Sequence, residues 1–246
     1  MSSTLIDLSH TIEHGMITYK GLPAPVISAH LTREASRALY APGTEFHIGN
    51  IEMVANTGTY LDSPFHRYEE GKDLADLPLE SLAYLEGIIV RHVSRAEREL
   101  ERARFPNIET TAENLSGPDD RVITAAALEH LDVRAKAVLF YTAWDMCWRT
   151  EDYSSGRHPF LSGDAAAFLA NAGAALVGID SYNIDDTADG HRPAHSILLA
   201  AGIPIVEHLC GLRQLPITGF RFFAVPVKVK SFGTFPIRAF AMVTKN

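Results

Sequence analysis

Ser162-Gly163-Asp164-Ala165-Ala166-Ala167-Phe168-Leu169-Ala170-Asn171-Ala172-Gly173-Ala174-Ala175-Leu176-Val177-Gly178-Ile179-Asp180 reads as a capping residue, a helix, a glycine stop and a buried strand. The Ser162 hydroxyl can accept an N–H left open by the first helical turn, so a helix is expected to run to Ala172. Gly173 closes it, because glycine takes the left-handed backbone at little steric cost. Ala175 to Ile179 is short, apolar and partly β-branched, as a buried strand should be. The same plan stands on either side. Upstream, Thr124 is placed to cap a helix through Leu131, followed by the apolar run Ala137 to Tyr141. Downstream, Ser196 to Ala201 reads as helical, Gly202 closes it, and Ile203-Pro204-Ile205-Val206 follows. This repeated signature specifies an α/β fold.

Outward from that centre the pattern thins. Leu5 to Leu8 is a first strand, and Gly15, Gly21, Pro23 and Pro25 break His10 to Pro25 into an irregular surface segment. Phe46 to Ala55 suggests a strand pair or one bent strand. Ser94 to Arg104 is a charged helix that Pro106 ends, while Phe222 to Val229 and Ile237 to Val243 are closing strands. With no low-complexity linker or long-period repeat, residues 1–246 are expected to form a single domain.

The 246 residues are 46% hydrophobic and 21% charged, ordinary for a folded chain, and no apolar run has the length of a membrane span. Met1 to Asp7 lacks a basic segment followed by an apolar one, so no secretory signal is expected and the cytoplasm is the expected location. A net charge of −8 argues against nucleic acid as a partner. Arg95, Arg98, Arg102 and Arg104 alternate with Glu97, Glu99 and Glu101, which describes a solvated helix face. Cys147 and Cys210 have no CxxC spacing, which rules out a disulfide framework or zinc ribbon as the organising feature.

Polar residues concentrate in three places. The first is the turn Asn56-Thr57-Gly58-Thr59-Tyr60-Leu61-Asp62-Ser63-Pro64-Phe65-His66; the second is Asp180, Asp185 and Asp186; the third is His195 with Glu207. Strand ends of α/β sheets commonly bind ligands, and carboxylates with imidazoles suit a divalent metal. Gly58 and Pro64 exclude a continuous helix through the turn, so the spacing of Asp62 and His66 does not by itself bring them together. On spacing alone, Asp62 capping the next turn and an ordinary surface or half-buried His66 is the simpler reading. The other histidines, His208 included, carry no claim on a site from the residues alone.

Taken in order, several segments resemble the metal-dependent cyclase-like hydrolases that include bacterial kynurenine formamidase and isatin hydrolase. They are Ile6-Asp7-Leu8-Ser9-His10, the turn itself (similar to the pattern H-x-G-T-H-x-D-x-P-x-H), Tyr141 to Trp144, His158 to Ser162, Leu176 to Asp180, Ala194 to Leu199, Gly202 to Leu209 and Phe235 to Ala241. The resemblance implies one domain of a swivelling β/β/α type. It implies Asp62, His195 and Glu207 as metal ligands and His66 as the proton-transfer residue. The two metal-binding histidines of the pattern are replaced by Asn56 and Tyr60. An amide carbonyl is a weak ligand for Zn or Mn, and a phenol binds well only as phenolate, so one divalent ion is expected in place of two, and a metal-free site stays open.

The implied reaction is hydrolysis of an amide, formamide or cyclic amide of a small aromatic substrate. Tyr60 and Asn56 are expected as donors to the oxyanion, and Tyr19, Phe46, Phe65 and Trp144 as the substrate wall. A lactone hydrolase or dehydratase, and an inactive ligand-binding homologue, are the alternatives. Retention of Asp62, His66, His195 and Glu207 together speaks against the last, because buried polar groups are costly to keep. The resemblance further implies a homodimer or homotetramer, with the segment from His10 to Pro25 placed to reach a neighbouring subunit.

Overall fold

The computed structural model describes residues 2–105 and 119–244. Thirteen strands follow in chain order: β1 (Ser3–Asp7), β2 (Val26–Leu31), β3 (Ile48–Glu52), β4 (Tyr60–Asp62), β5 (Leu85–Arg91), β6 (Val122–Ile123), β7 (Ala137–Tyr141), β8 (Phe160–Leu161), β9 (Leu176–Ile179), β10 (Ile205–Glu207), β11 (Phe220–Phe223), β12 (Thr234–Pro236) and β13 (Phe240–Thr244). The helices are α1 (Arg33–Ser36), α2 (Arg95–Arg104), α3 (Gly163–Ala172) and α4 (Pro193–Ala200).

Nine strands form one mixed sheet in the order β1-β13-β11-β5-β7-β9-β10-β4-β12. Its centre, β5-β7-β9-β10, is parallel, and the strands outside it run antiparallel to their neighbours. Alternation along β7 shows how two cores share the sheet. Val138 and Phe140 face a core with α3 and α4, whereas Ala137, Leu139 and Tyr141 face the other way. That second core draws side chains from strands across the whole sheet, from Ala241 through Phe222, Ile89 and Val206 to Leu61. The sheet therefore curls, and its inner face packs largely on itself. Gly178 permits the close approach on this face, since a Cβ there would stand 2.8 Å from Leu139 and from Leu209.

α3 follows its sequence signals. Ser162 Oγ accepts from Ala165 N, and Gly173 ends the helix at φ 77°. Other expectations are corrected. Thr124 makes no side-chain capping bond and only the turn Ala125–Ala127 forms, with the Ala127 N–H on the Thr124 backbone carbonyl and the Ala125 N–H on Asp164 of α3. α4 begins at Pro193 rather than Ser196, since proline at the first helical position lacks only an N–H that would be open anyway. The expected strand Phe222 to Val229 is the shorter β11, with Pro226 unable to donate to a ladder. Ile237 to Val243 resolves into β13, preceded by the unanticipated β12. Phe46 to Ala55 contains one strand, β3, whose partner is the unanticipated β2, and β6 with β8 forms a further parallel pair. The charged helix agrees with α2, while Pro106, expected to end it, lies outside the described residues.

The arm made by β2, α1 and β3 differs from the rest. Nearly every residue of both strands is solvent-exposed, Val26, Ile27, Ile48 and Ile51 among them, and so is Phe46 just before β3.

Candidate functional site

The turn singled out in the sequence becomes β4 and the short helical turn Pro64–His66. β4 lies between β10 and β12, and its register places Tyr60 opposite Glu207 and Asp62 opposite Thr234. Residues two apart share a face, so Tyr60 and Asp62 point the same way while Leu61 enters the core. Cross-strand partners on one face are close enough to bond. Tyr60 Oη donates to Glu207 Oε2 at 2.6 Å, and the Thr234 hydroxyl donates to Asp62 Oδ1.

His195 enters from the first turn of α4, where Asp185 holds it on two sides. One carboxylate oxygen accepts Ala194 N at 2.6 Å; the other accepts His195 N at 3.1 Å and His195 Nδ1 at 2.6 Å. With Nδ1–H committed to Asp185, Nε2 faces Asp62 Oδ2 and Glu207 Oε1, each at 3.7 Å. His66 sits across from them, its Nδ1 3.7 Å from Asp62 Oδ1 and 2.7 Å from Thr234 Oγ1. Thr234 has one proton and gives it to Asp62, so His66 Nδ1 donates to the threonine oxygen. This leaves the His66 Nε2 lone pair free, on a ring that lines the cavity.

The charges of this set are unbalanced. Asp62, Asp185 and Glu207 are fully or nearly fully buried around the buried His195. Burial works against charge on His195, but Glu207, Asp185 and Asp62 outweigh it and raise the imidazole to about 10. Burial pushes the Glu207 carboxyl up to about 7, against the pull of His195 and with the push of Asp62. Asp62 Oδ2, buried and facing His195 Nε2, has no hydrogen-bond partner. A buried carboxylate oxygen left open in this way calls for a cation. Separations of 3.7 Å lie close to the about 3.4 Å between ligand atoms of a tetrahedral N/O site with bonds near 2.1 Å. Among the described residues, the set whose ligand atoms all lie within 4.8 Å of one another is Asp62, His66 and His195, which makes His66 a candidate ligand beside Asp62 and His195.

These groups lie at a cavity of about 370 Å³ whose walls include Tyr19, Leu22, Asn56 and Arg192. Of the expected wall, Tyr19 is present, its hydroxyl accepting from Asn183 Nδ2 at 2.7 Å. The other three stand elsewhere. Trp144 is buried in an aromatic cluster with Tyr153 and Tyr182. Phe46 is exposed on the arm against Tyr40, and Phe65 does not line the cavity. The oxyanion role expected of Tyr60 is also corrected: its one hydroxyl proton goes to Glu207, and burial first, then Glu207 and Asp62, keep the phenol protonated. Asp180 is a structural latch, accepting Thr142 N, Thr142 Oγ1 and Ala143 N.

Several contributors carried no usable local signal. Thr234 comes from β12, and Asn183 reaches Glu207 Oε2 at 3.4 Å. His208, fully buried, places Nε2 3.3 Å from Tyr60 Oη and Nδ1 2.7 Å from Tyr153 Oη. Burial, with His10 and His158 nearby, holds its imidazole well below the ordinary range.

The Cyclase family model matches residues 6–186. Kynurenine formamidase of Bacillus cytotoxicus is 23% identical over 244 residues, 97% of each chain. That of Salinibacter ruber is 27% identical over 193 residues, 78% of each. Isatin hydrolase A of Labrenzia aggregata, solved with benzyl benzoate bound, superposes with a TM-score of 0.75 at 22% identity over 99% of this chain and 94% of its own. A chain described as a potential metal-dependent hydrolase with cyclase activity superposes with a TM-score of 0.72 at 24% identity over all of both chains. The two superpositions speak to the fold.

Proposed function

Because this chain belongs to the Cyclase family, we propose that it is a metal-dependent hydrolase cleaving the carbon–nitrogen bond of a small aromatic amide, formamide or cyclic amide. The observation that carries the reading is the open, buried Asp62 Oδ2 beside His195 Nε2 and Glu207 Oε1. Kynurenine formamidase and isatin hydrolase among the similar proteins support the substrate class.

Asp62, His195 and Glu207 would hold one divalent ion, Zn or Mn by their N/O chemistry. A divalent ion bound there acidifies water and polarises a carbonyl. The remaining work falls to this chain's own groups. His66, fixed as its Nδ1–H form by Thr234, moves a proton through Nε2 between water and the leaving nitrogen, a role typically worth ~10²–10⁴ in rate. Asn56 on the cavity wall donates to the developing oxyanion, and Tyr19 with Leu22 shields the aromatic body from water. Asp185 keeps Nδ1 of His195 protonated and so directs Nε2 inward.

Metal analysis of the purified protein, with N-formylkynurenine and isatin as first substrates, tests the reading. One Zn or Mn per chain, lost in Glu207→Ala, and hydrolysis abolished in His66→Ala, is the expected result. A protein that takes up neither ion and hydrolyses neither compound contradicts it and favours an inert ligand-binding homologue. We further place the chain in a homodimer or homotetramer joined through the exposed arm, since a two-stranded hairpin is marginal in water without something to pack on.

A further inference from the structure

His208 follows Glu207 directly, yet it faces away from the cavity. Its backbone is left-handed at φ 54°, an uncommon conformation for a residue other than glycine. The strain is held in place from outside: Thr59 Oγ1 donates to His208 O at 2.5 Å, and Leu209 N donates to Ile179 O at 3.0 Å. Strained backbone maintained by its surroundings is concentrated at functional sites. Here the result is an imidazole inserted between two tyrosine hydroxyls.

Proton accounting gives that contact a direction. Glu207 accepts Ile184 N at 2.7 Å on Oε1, and Tyr60 Oη at 2.6 Å with Asn183 Nδ2 at 3.4 Å on Oε2. Ile184 N, Asn183 Nδ2 and Tyr60 Oη all donate to Glu207, so the single Tyr60 proton points at it. Tyr60 Oη must then accept from His208, which makes Nε2 the protonated nitrogen. His208 Nδ1 is therefore a lone pair, and the Tyr153 hydroxyl donates to it. The chain reads Tyr153 to His208 to Tyr60 to Glu207, with every hydroxyl and ring proton assigned.

We propose that His208, anchored by Tyr153, is a positioning residue that aims the Tyr60 hydroxyl at Glu207 Oε2 and thereby holds Oε1 toward His195 and Asp62. The terminal torsion of a glutamate is broad, so two oxygens held from opposite sides define its plane far better than one. His208 and Tyr153 set cation affinity while touching neither cation nor substrate. This consequence rests on the metal-dependent reading given above; the direction of the chain does not.

Two measurements separate the two. Long-range ¹H–¹⁵N correlation on ¹⁵N-histidine protein, free of metal and then with Zn, reports the tautomer of His208. The expected result is protonation at Nε2 with Nδ1 as acceptor in both; protonation at Nδ1 overturns the proposal. Competition of Tyr153→Phe and His208→Gln with a chelator for Zn reports affinity. A loss of about 10–100-fold is expected, the usual effect of removing a group that orients a metal ligand. Wild-type affinity in a Tyr153→Phe protein with an unchanged urea midpoint overturns the proposal. A wild-type protein that binds no Zn or Mn overturns the hydrolase reading instead, and the tautomer then decides the chain by itself.

Discussion

Replacing Asp185 by Ala should be among the most damaging single changes available in this molecule. The carboxylate is fully buried and accepts three N–H groups, two from the first turn of α4 and one from the His195 ring. Loss of a helix cap costs about 0.5–2 kcal/mol. Removing one partner of a buried charged pair costs about 3–5 kcal/mol, because the other is left without compensation. The two overlap through shared geometry, so about 3–5 kcal/mol is expected overall, a large share of the roughly 5–15 kcal/mol of an ordinary domain. Urea unfolding of metal-free protein measures this directly. Asp185→Asn then separates shape from charge: the amide keeps one acceptor oxygen for three N–H groups, and its NH₂ must oppose either Ala194 N or the His195 pair. Zn affinity should fall about 10–100-fold, or about 1.4–2.7 kcal/mol. An Asp185→Ala protein within about 1 kcal/mol of wild type, or an Asp185→Asn protein with wild-type Zn affinity, would refute the reasoning.

Two further outcomes follow from features away from the site. His10 lies flat on Trp148 with ring centroids 3.9 Å apart, and burial, then Arg149, lowers its pKa to about 4. Its folded value lies below the unfolded one of about 6.5, so its contribution is complete above that pH and is lost as pH falls toward 4, by at most about 3 kcal/mol. Urea midpoints of His10→Phe should fall less than wild type across that window; parallel profiles would remove His10 from the account. On the arm, Phe46→Glu combined with Ile48→Glu places charge on exposed apolar positions. Light scattering should show a shift from an oligomer to a single chain, and a wild-type protein already monomeric contradicts an arm-mediated assembly.

The α/β class was legible because capping, helix stop and apolar run are local signals, and Ser162 to Ile179 obeys them residue by residue. The same grammar misled at Thr124, whose backbone carbonyl, and not its hydroxyl, accepts the Ala127 N–H of a single turn. Asp62, His66, His195 and Glu207 were expected through the order of family segments; Asp62 and Glu207 each stand 3.7 Å from His195 Nε2, and His66 Nδ1 stands 3.7 Å from Asp62. The wall residues were not: an aromatic side chain reads alike whether it lines a cavity, as Tyr19 does, or fills a core, as Trp144 does.

The sequence by itself determined the alternation of helices and buried strands, the polar turn and the replacement of two pattern histidines by Asn56 and Tyr60. Tertiary structure decided what surrounds Tyr60. The antiparallel register of β4 against β10 puts Tyr60 beside Glu207, and that against β12 puts Thr234 beside Asp62 across 172 residues of chain. A slip of one residue would turn each of these side chains to the opposite face. Local periodicity states that a strand has two faces. Only the packed sheet fixes which residues of distant strands meet, and with it the direction of each proton around the site.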